Sequence, residues 1–562
     1  MSFDIKKHEK DLLFIPIGGT NKVGLNLYVY HYKGKFLIVD FGCGFADDSL
    51  PGVDITVPDI SFLVKHKKNI VGIVLTHAHE DHVGALQHLW NELECNVYAT
   101  PFTSTLLKER FLDNNFDMPG QIVTINLKEP IFNLEPFKIE LVPMCHAIPE
   151  MHAVLIKTEV GNIFHTGDWK FDKEPLIGKQ NDEAKLKKYG DEGILAVVGD
   201  STNVFNTKHS GSEGDLKRSL TELIKPCKKM VVVAMFSSNL ARFETLIDIA
   251  NFCDRKIVLS GRNLRRIFDA GLKSGYLKNS MEGTFVDERD IKKYNRNKLL
   301  VIATGCQGEQ FASVTKIANQ MHRFIDIEPE DTVIFSSKII PGNDARLYRV
   351  FDKLVSLKVD ILMEKTAFTH VSGHSSQGEL KRLYKLLRPK VLVPIHGEQI
   401  HLYHHVKLAP SLGVDKSILI SDGDVIKFKS TGSVEKIGKV KTQELAVYGN
   451  YLYTYSSPVM NMRRKMKDGI CMVVLFLSDK YELQAEPVLM FPGFLEEEHE
   501  KNFIDYIKDE IIMMIHDSRS LHRKKFETAV HELEKKVKSK VKGILKHEVQ
   551  KVPVIQVIAK II

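Results

Sequence analysis

The 562-residue chain has no CxxC pair, and its seven cysteines (Cys43, Cys95, Cys145, Cys227, Cys253, Cys306 and Cys471) are scattered singly. An odd, dispersed set supports neither a disulfide framework nor a thiolate zinc site. No apolar run reaches the roughly 20 residues that a membrane helix needs, so no membrane partner is expected. The first residues, Met1-Ser2-Phe3-Asp4-Ile5-Lys6-Lys7-His8, lack the apolar stretch and small-residue cleavage site of a signal peptide, which makes the cytoplasm the expected location. Tandem repeats and low-complexity tracts are missing as well.

With 43% hydrophobic and 27% charged residues, there is enough apolar material for several cores without a disordered bulk. At roughly 100 to 200 residues per domain, the length suggests about three domains. The net charge of +7 is a mild bias towards a polyanionic partner and does not require one.

The pattern changes along the chain. Up to about residue 208, short apolar strands punctuated by Gly, Asp and Asn read as sheets covered by helices, one of them around Gly84 to Leu93. From 209 to 365, apolar strands alternate regularly with amphipathic helices, as in a parallel α/β layer inserted into the first domain. Residues 366–442 read as the return into that first domain. Residues 443–465, rich in Tyr, Gly, Asn and Ser without a clear period, are expected as a linker to a small α+β domain at 466–562. That last domain contains a long helix from His522 to His547 with an apolar stripe of Phe526, Val530, Leu533, Val537, Val541 and Ile544. Lys535, Lys536, Lys538, Lys540, Lys542 and Lys546 lie largely off that stripe and read as a solvated face.

The strongest chemical signal is His77-Ala78-His79-Glu80-Asp81-His82, directly after the apolar run from Ile70 to Thr76. A strand ending in several imidazoles and a carboxylate offers them together to a metal at the edge of the sheet. Four potential ligands in six residues exceed what one open catalytic zinc takes from protein, usually three, so two metals fit better than one. His146, Asp168 (in Phe164-His165-Thr166-Gly167-Asp168-Trp169) and His396 (in Pro394-Ile395-His396-Gly397-Glu398) also follow apolar strands. A lone histidine at a strand end is more often a hydrogen-bonded structural residue, and it is their combination with the hexapeptide that singles these out. His165, His401, His404 and His405 read as structural or surface groups.

These residues, in this order, resemble the signature of the metallo-β-lactamase superfamily, and the long stretch between Asp168 and His396 resembles the β-CASP insertion of its nucleic-acid-processing branch. Pro51-Gly52-Val53-Asp54, Gly199-Asp200-Ser201-Thr202-Asn203, Phe236-Ser237-Ser238-Asn239, Thr304-Gly305-Cys306-Gln307-Gly308-Glu309, Ile340-Pro341-Gly342-Asn343 and His370-Val371-Ser372-Gly373-His374 are similar to the ribonuclease J family over essentially the whole chain. The resemblance implies an αββα sandwich with an inserted parallel α/β β-CASP domain and a small α+β C-terminal domain.

It also implies a site. One metal would be bound by His77, His79, His146 and Asp168, and the other by Asp81, His82, Asp168 and His396. The cofactors would be two divalent ions, Zn2+ foremost, with Mn2+ sharing the same ligand preferences. Asp200, His374 and Asp81 are the implied catalytic groups, His374 as a donor and Asp200 as the residue that orients it. Ser237, Ser238 and Asn239, with Arg262, would hold a terminal 5′-phosphate, and His370, Val371, Ser372, Gly373 and His374 would contact the backbone near the scissile bond. The implied activity is 5′-to-3′ exonucleolytic and endonucleolytic hydrolysis of RNA in mRNA decay and rRNA maturation, by a homodimer or homotetramer joined through the C-terminal domain. The alternatives are a DNA-directed β-CASP nuclease, a metallohydrolase of small substrates and a non-catalytic RNA-binding subunit. Lys22, Cys306 and Asn263 depart from the family's usual residues, and none of them is an implied ligand.

Overall fold

The computed structural model describes every residue except 1–2, 278–283, 341, 481 and 517–525. Pro341 and the expected helix start at His522 therefore lie outside the described residues, as does the side chain of Phe526.

Side chains two apart on a strand share a face. Leu12 and Phe14, Tyr28 and Tyr30, and Leu37 and Val39 obey that rule, and with Val74 they meet Leu141, Val154, Ile156, Ile163, Val198 and Val393 in one buried core. The two groups belong to two sheets packed face to face. The first has eight strands, in the order Val434–Lys439, Asp424–Phe428, Leu12–Pro16, Tyr28–Tyr32, Lys35–Val39, Ile70–Val74, Val97–Ala99 and Ile122–Thr124. The second has seven, in the order Lys416–Ser417, Val391–Ile395, Ala196–Asp200, Asn162–His165, His152–Lys157, Phe137–Pro143 and Ile131–Leu134. The helices Glu183–Glu192 and Gln377–Leu387 cover the outer face of the second sheet through Leu186, Tyr189, Leu380, Leu383 and Tyr384.

The insertion interrupts this sandwich between neighbouring strands. Ala196–Asp200 pairs in parallel with Val391–Ile395, with Asp200 opposite Ile395, so the chain leaves the sheet beside the point at which it returns. Leu12 then pairs with Phe428, which closes the first sheet with strands from beyond the insertion. The inserted domain is a six-stranded parallel sheet, in the order Phe285–Val286, Lys256–Ser260, Leu299–Ala303, Val231–Ala234, Thr332–Phe335 and Asp360–Leu362, with a buried core on each face. Runs such as Val231-Val232-Val233-Ala234 are apolar throughout because both faces are covered. The helix Arg262–Lys273 of the insertion pairs with the helix Pro101–Asp113 of the sandwich through Lys273–Glu109 and Arg266–Asp113.

Residues 46–55 and 445–562 form a second compact unit. In it the strand Ile470–Leu477 lies between Val488–Met490 and Val554–Ile561, pairing in parallel with the latter. Ile504, Ile507 and Ile511 of the helix Lys501–His516 and Leu533, Val537, Val541 and Leu545 of Phe526–Glu548 pack on that sheet. Val530 is only half-buried and Ala529 takes its place in the stripe, while Lys535, Lys538, Lys540, Lys542 and Lys546 are exposed.

Several expected elements differ. The stretch 443–465 holds the paired strands Glu444–Tyr448 and Tyr451–Thr454 and the helix Pro458–Lys465 rather than a linker. Tyr448 faces Tyr451 across a two-residue turn, Gly449-Asn450, with Gly449 at φ 58°, a hairpin signal within a polar-looking segment. The helix expected around Gly84 is a series of short turns that begins earlier, at Glu80–Val83, and continues as Leu86–Leu89 and Trp90–Glu92. Among the described residues no helix is long and apolar enough to cross a membrane.

Candidate metal centre

The strand Ile70–Val74 ends before the hexapeptide, and the helical turn Glu80–Val83 starts inside it. His77 and His79 therefore leave the connecting loop, whereas Asp81 and His82 leave the first turn of helix. Glu80 turns away from the others, and both its oxygens receive the guanidinium of Arg110 from Pro101–Asp113. The loop after Lys35–Val39 lies against this turn: the Gly42 N–H donates to the Asn26 carbonyl at 2.8 Å, and a Cβ on Gly42 would stand 1.6 Å from the Asp81 carbonyl oxygen. Only glycine permits that approach.

Residues distant in sequence converge on the hexapeptide. His77, His79, His146 and Asp168 each place a ligand atom within 4.8 Å of the others, and so do Asp81, His82, Asp168 and His396. The carboxylate of Asp168 belongs to both groups. His77 Nε2 and His146 Nε2 face His79 Nδ1 at 3.0 and 3.1 Å, and Asp168 lies 3.6 Å from His77 Nε2 and 3.2 Å from His82 Nε2.

The ring hydrogens are committed on the far sides of these imidazoles. His77 Nδ1–H donates to Thr76 Oγ1 at 2.9 Å, His146 Nδ1–H to the Gly373 carbonyl at 2.7 Å, His82 Nδ1–H to Asp40 Oδ2 at 2.7 Å and His396 Nδ1–H to Asn26 Oδ1 at 2.9 Å. In its neutral form each therefore turns a lone pair inward. Asp168 Oδ1 is buried without a hydrogen-bond partner, a costly state for a carboxylate oxygen unless a cation is its partner. Imidazole nitrogens and carboxylate oxygens are the donors that zinc and manganese take, so these residues fit a resident metal.

The electrostatics separate the two groups. Burial, reinforced by neighbouring imidazoles, holds His77 and His79 well below the usual histidine range, and burial takes His146 down to about 4. They stand neutral and ready to coordinate. His82 goes the other way: burial opposes its charge, but Asp168, Asp40 and Asp81 outweigh that and raise it well above the usual value. For Asp168, burial is likewise outweighed, by His396, His82 and His374, which keep it ionised.

Asp200 and His374 form a pair beside these groups. His374 Nδ1–H donates to Asp200 Oδ2 at 2.8 Å, and Asp168 lies 4.0 Å from the same nitrogen. Burial would depress His374, but the two carboxylates push it up to about 9. Its loop is tight, because a Cβ on Gly373 would lie 2.8 Å from the His146 ring and Ser372 Oγ accepts the His374 N–H at 3.1 Å. His370 is half-buried, its enclosed Nδ1 has no hydrogen-bond partner among the described residues, and burial with Arg242 and Lys170 nearby keeps it neutral. Val371 packs its side chain into the core of the insertion, so only its backbone is free for a ligand.

On the insertion, Ser237 and Ser238 are half-buried in the turn before Leu240–Phe252, and Asn239 caps that helix by accepting the Arg242 N–H at 2.9 Å. Arg262 is exposed at the start of its helix. His165 donates to or accepts from Tyr30 at 3.0 Å, and His405 contacts Ser201 and Tyr384, so neither joins the cluster. Of the departures, Lys22 pairs with Glu444 at 2.8 Å, Cys306 is buried and Asn263 is exposed.

Sequence reasoning missed Asp40. It accepts from the Thr76 N–H at 2.8 Å, from Thr76 Oγ1 and from His82, and it holds φ at +62°, as His396 does at +52°. Left-handed backbone at residues other than glycine collects at functional sites. The one signal was its position at the end of the strand Lys35–Val39, which no adjacent motif marked.

With the geometry in place, likeness to known proteins becomes informative. Residues 22–226 match the model of the metallo-beta-lactamase superfamily, 228–354 that of the ribonuclease J beta-CASP domain, 358–419 that of the Zn-dependent metallo-hydrolase RNA specificity domain and 458–561 that of the ribonuclease J C-terminal domain. The sequence is 34% identical over 497 residues to ribonuclease J of Sinorhizobium meliloti, spanning 87% of each chain. It is 32% identical over 495 residues to ribonuclease J2 of Bacillus subtilis, spanning 87% of this chain and 88% of that one. Ribonuclease J of Synechocystis sp. is 27% identical over 555 residues, 97% of this chain and 86% of its own. Among solved structures, a protein of unknown function from Enterococcus faecalis V583 aligns with a TM-score of 0.53 at 17% identity, over 74% of this chain and 100% of that one, a likeness of fold alone.

Proposed function

The chain belongs to the ribonuclease J family, and from that premise we infer that it is a metal-dependent ribonuclease that trims RNA from the 5′ end and also cuts it internally. One observation carries this reading: imidazole nitrogens of His77, His82, His146 and His396 lie 3.2 to 3.8 Å from the carboxylate of Asp168, whose buried Oδ1 has no hydrogen-bond partner among the described residues. His77, His79, His146 and Asp168 would hold one divalent cation and Asp81, His82, Asp168 and His396 the other. Zn2+ or Mn2+ suits these donors.

The chemistry supplied by such a pair of cations is a lowered pKa of water and neutralised charge at the phosphoryl oxygens. The side chains do the rest. Asp168 belongs to both groups of ligands. His374, kept protonated by Asp200, donates a hydrogen bond and then its proton to the departing 3′ oxygen. Addition of water at phosphorus with loss of that oxygen leaves a 5′-phosphate on one product and a 3′-hydroxyl on the other. The loop from His370 to Gly373 contacts the RNA backbone through its main chain and Ser372. Ser237, Ser238 and Asn239, with Arg262, receive a terminal 5′-phosphate, which sets the register for removal of nucleotides one at a time.

In this reading residues 1–208 and 366–442 form the catalytic domain, 209–365 the inserted RNA-gripping domain, and 466–562 a C-terminal domain that joins copies into a homodimer or homotetramer. The cellular roles are mRNA decay and rRNA maturation in the cytoplasm. Digestion of 5′-monophosphorylated RNA and of DNA of the same sequence, with and without chelator, tests the activity. Chelator-sensitive cleavage of RNA, with DNA largely spared, is expected; intact RNA in the presence of Zn2+ and Mn2+ would remove the nuclease assignment.

A further inference from the structure

We propose that Asn26 is a positioning residue of the metal centre, its single amide setting the orientation of Asp81 and His396, ligands of the second group. The proposal rests on the metal-centre reading above. Asn26 lies just before the strand Tyr28–Tyr32 and is 0% exposed. A buried primary amide has to satisfy its acceptor and donor hydrogens within the protein, and here its partners are almost all residues of the site.

On the acceptor side, Asn26 Oδ1 takes hydrogen bonds from His396 Nδ1–H at 2.9 Å and from the Tyr28 hydroxyl at 2.7 Å. On the donor side, Nδ2 lies 3.3 Å from Asp81 Oδ2 and 3.0 Å from His82 Nε2. A carboxylate only accepts, so its contact with Asp81 determines which end of the amide is the NH2 group. The carbonyl end then faces His396 and places that ring's hydrogen on Nδ1. Nε2 is then the His396 nitrogen turned to the carboxylates, 3.4 Å from Asp168 Oδ1 and 3.8 Å from Asp81 Oδ2, with its lone pair available once the ring is neutral.

The backbone of Asn26 serves the same turn. Its N–H donates to the Asp81 carbonyl at 3.1 Å, and its own carbonyl accepts from Gly42. His396 comes from the far side of the insertion and has no neighbour in sequence to orient it, whereas Asn26 ties it to the hexapeptide. Alanine at this position would remove the hydrogen-bond partner that selects the His396 tautomer and free the Asp81 carboxylate to rotate. Partners of this kind typically change metal affinity by about 10- to 100-fold when removed.

The test is a metal titration of the full chain, starting from chelator-treated protein, with Zn2+ uptake read by mass spectrometry of the metal and by calorimetry. The parent, Asn26→Ala, Asn26→Asp, Tyr28→Phe, Asp81→Ala and the double variant Asn26→Ala/Asp81→Ala are compared, and circular dichroism monitors the fold. The parent is expected to take up two ions. Asn26→Ala should keep one tight ion and bind the second at least about tenfold more weakly. Asn26→Asp still accepts from His396 but repels Asp81, so it should not restore the second ion, while Tyr28→Phe should stay close to the parent. Because Asn26 acts partly through Asp81 and partly through His396, the double variant should lose less than the sum of the two single losses. Parent-like affinity for both ions in a folded Asn26→Ala overturns the proposal, as does a loss in the double variant that equals the sum of the single losses. A parent that binds no ion would instead overturn the metal-centre reading itself.

Discussion

At the scale of single residues, the site works by sorting protons. Each ring hydrogen-bonds on its far side, to Thr76, Gly373, Asp40 or Asn26, so that in the neutral form its lone pair is the one that faces the centre. His374, like His82 and His396, is raised by neighbouring carboxylates against the effect of burial, to about 9 through Asp200 and Asp168. A raised group keeps its proton until the pH passes its folded value, so its stabilising contact with Asp200 is fully present below the ordinary histidine value of 6.5 and fades as pH rises through about 9. Asp200→Asn takes away that charge and brings the loss of the proton to lower pH. The alkaline limb of kcat/KM for RNA should therefore move to lower pH in this variant, with activity at pH 8 down by about 100-fold, the scale of a lost general acid. A limb that stays in place would mean that Asp200 does not govern His374. The roles of Asp40 and Asn26 were illegible at this scale, because both act through other residues and neither stands in a cluster of potential ligands.

Among the elements, strand ends decide what meets what. The parallel register of Ala196–Asp200 with Val391–Ile395 sets Asp200 opposite Ile395, so His396 emerges beside it whatever the length of the insertion. The turn before Leu240–Phe252 presents Ser237 and Ser238 half-buried ahead of a capped helix. If that turn seats a terminal phosphate, Ser238→Trp should suppress trimming from the 5′ end at least about tenfold, more than 1.4 kcal/mol of binding, while internal cutting of the same RNA stays within about twofold. Equal loss of both activities in an end-labelled digest would argue against a separate end pocket. Strands and long helices were largely readable from apolar periodicity, as with Ile70–Val74 and the stripe of Leu533, Val537, Val541 and Ile544 in Phe526–Glu548. The hairpin Glu444–Tyr448 to Tyr451–Thr454 was not, because its tyrosines and polar turn resemble a loop in composition and only the Gly449-Asn450 pair marks the turn. Half of the hexapeptide is helical, which its sequence does not show, since a four-residue helix is too short to have a period.

For the whole molecule, the two sheets and the insertion are a means of bringing His77, His146, Asp168 and His396 to one point from four separate parts of the chain. The candidate residues could be picked out in the sequence by their place at strand ends, but their distances and hydrogen-bond partners exist only in the folded chain. The resemblance supplied the pairing of ligands into groups, which spacing alone left open. The account depends on Asp168 serving both groups, and metal content measured by mass spectrometry on the purified parent and on Asp168→Ala tests this most directly. It predicts two Zn2+ or Mn2+ ions per parent chain and fewer than one in a folded Asp168→Ala variant that no longer cleaves RNA; a variant that retains both ions would contradict it.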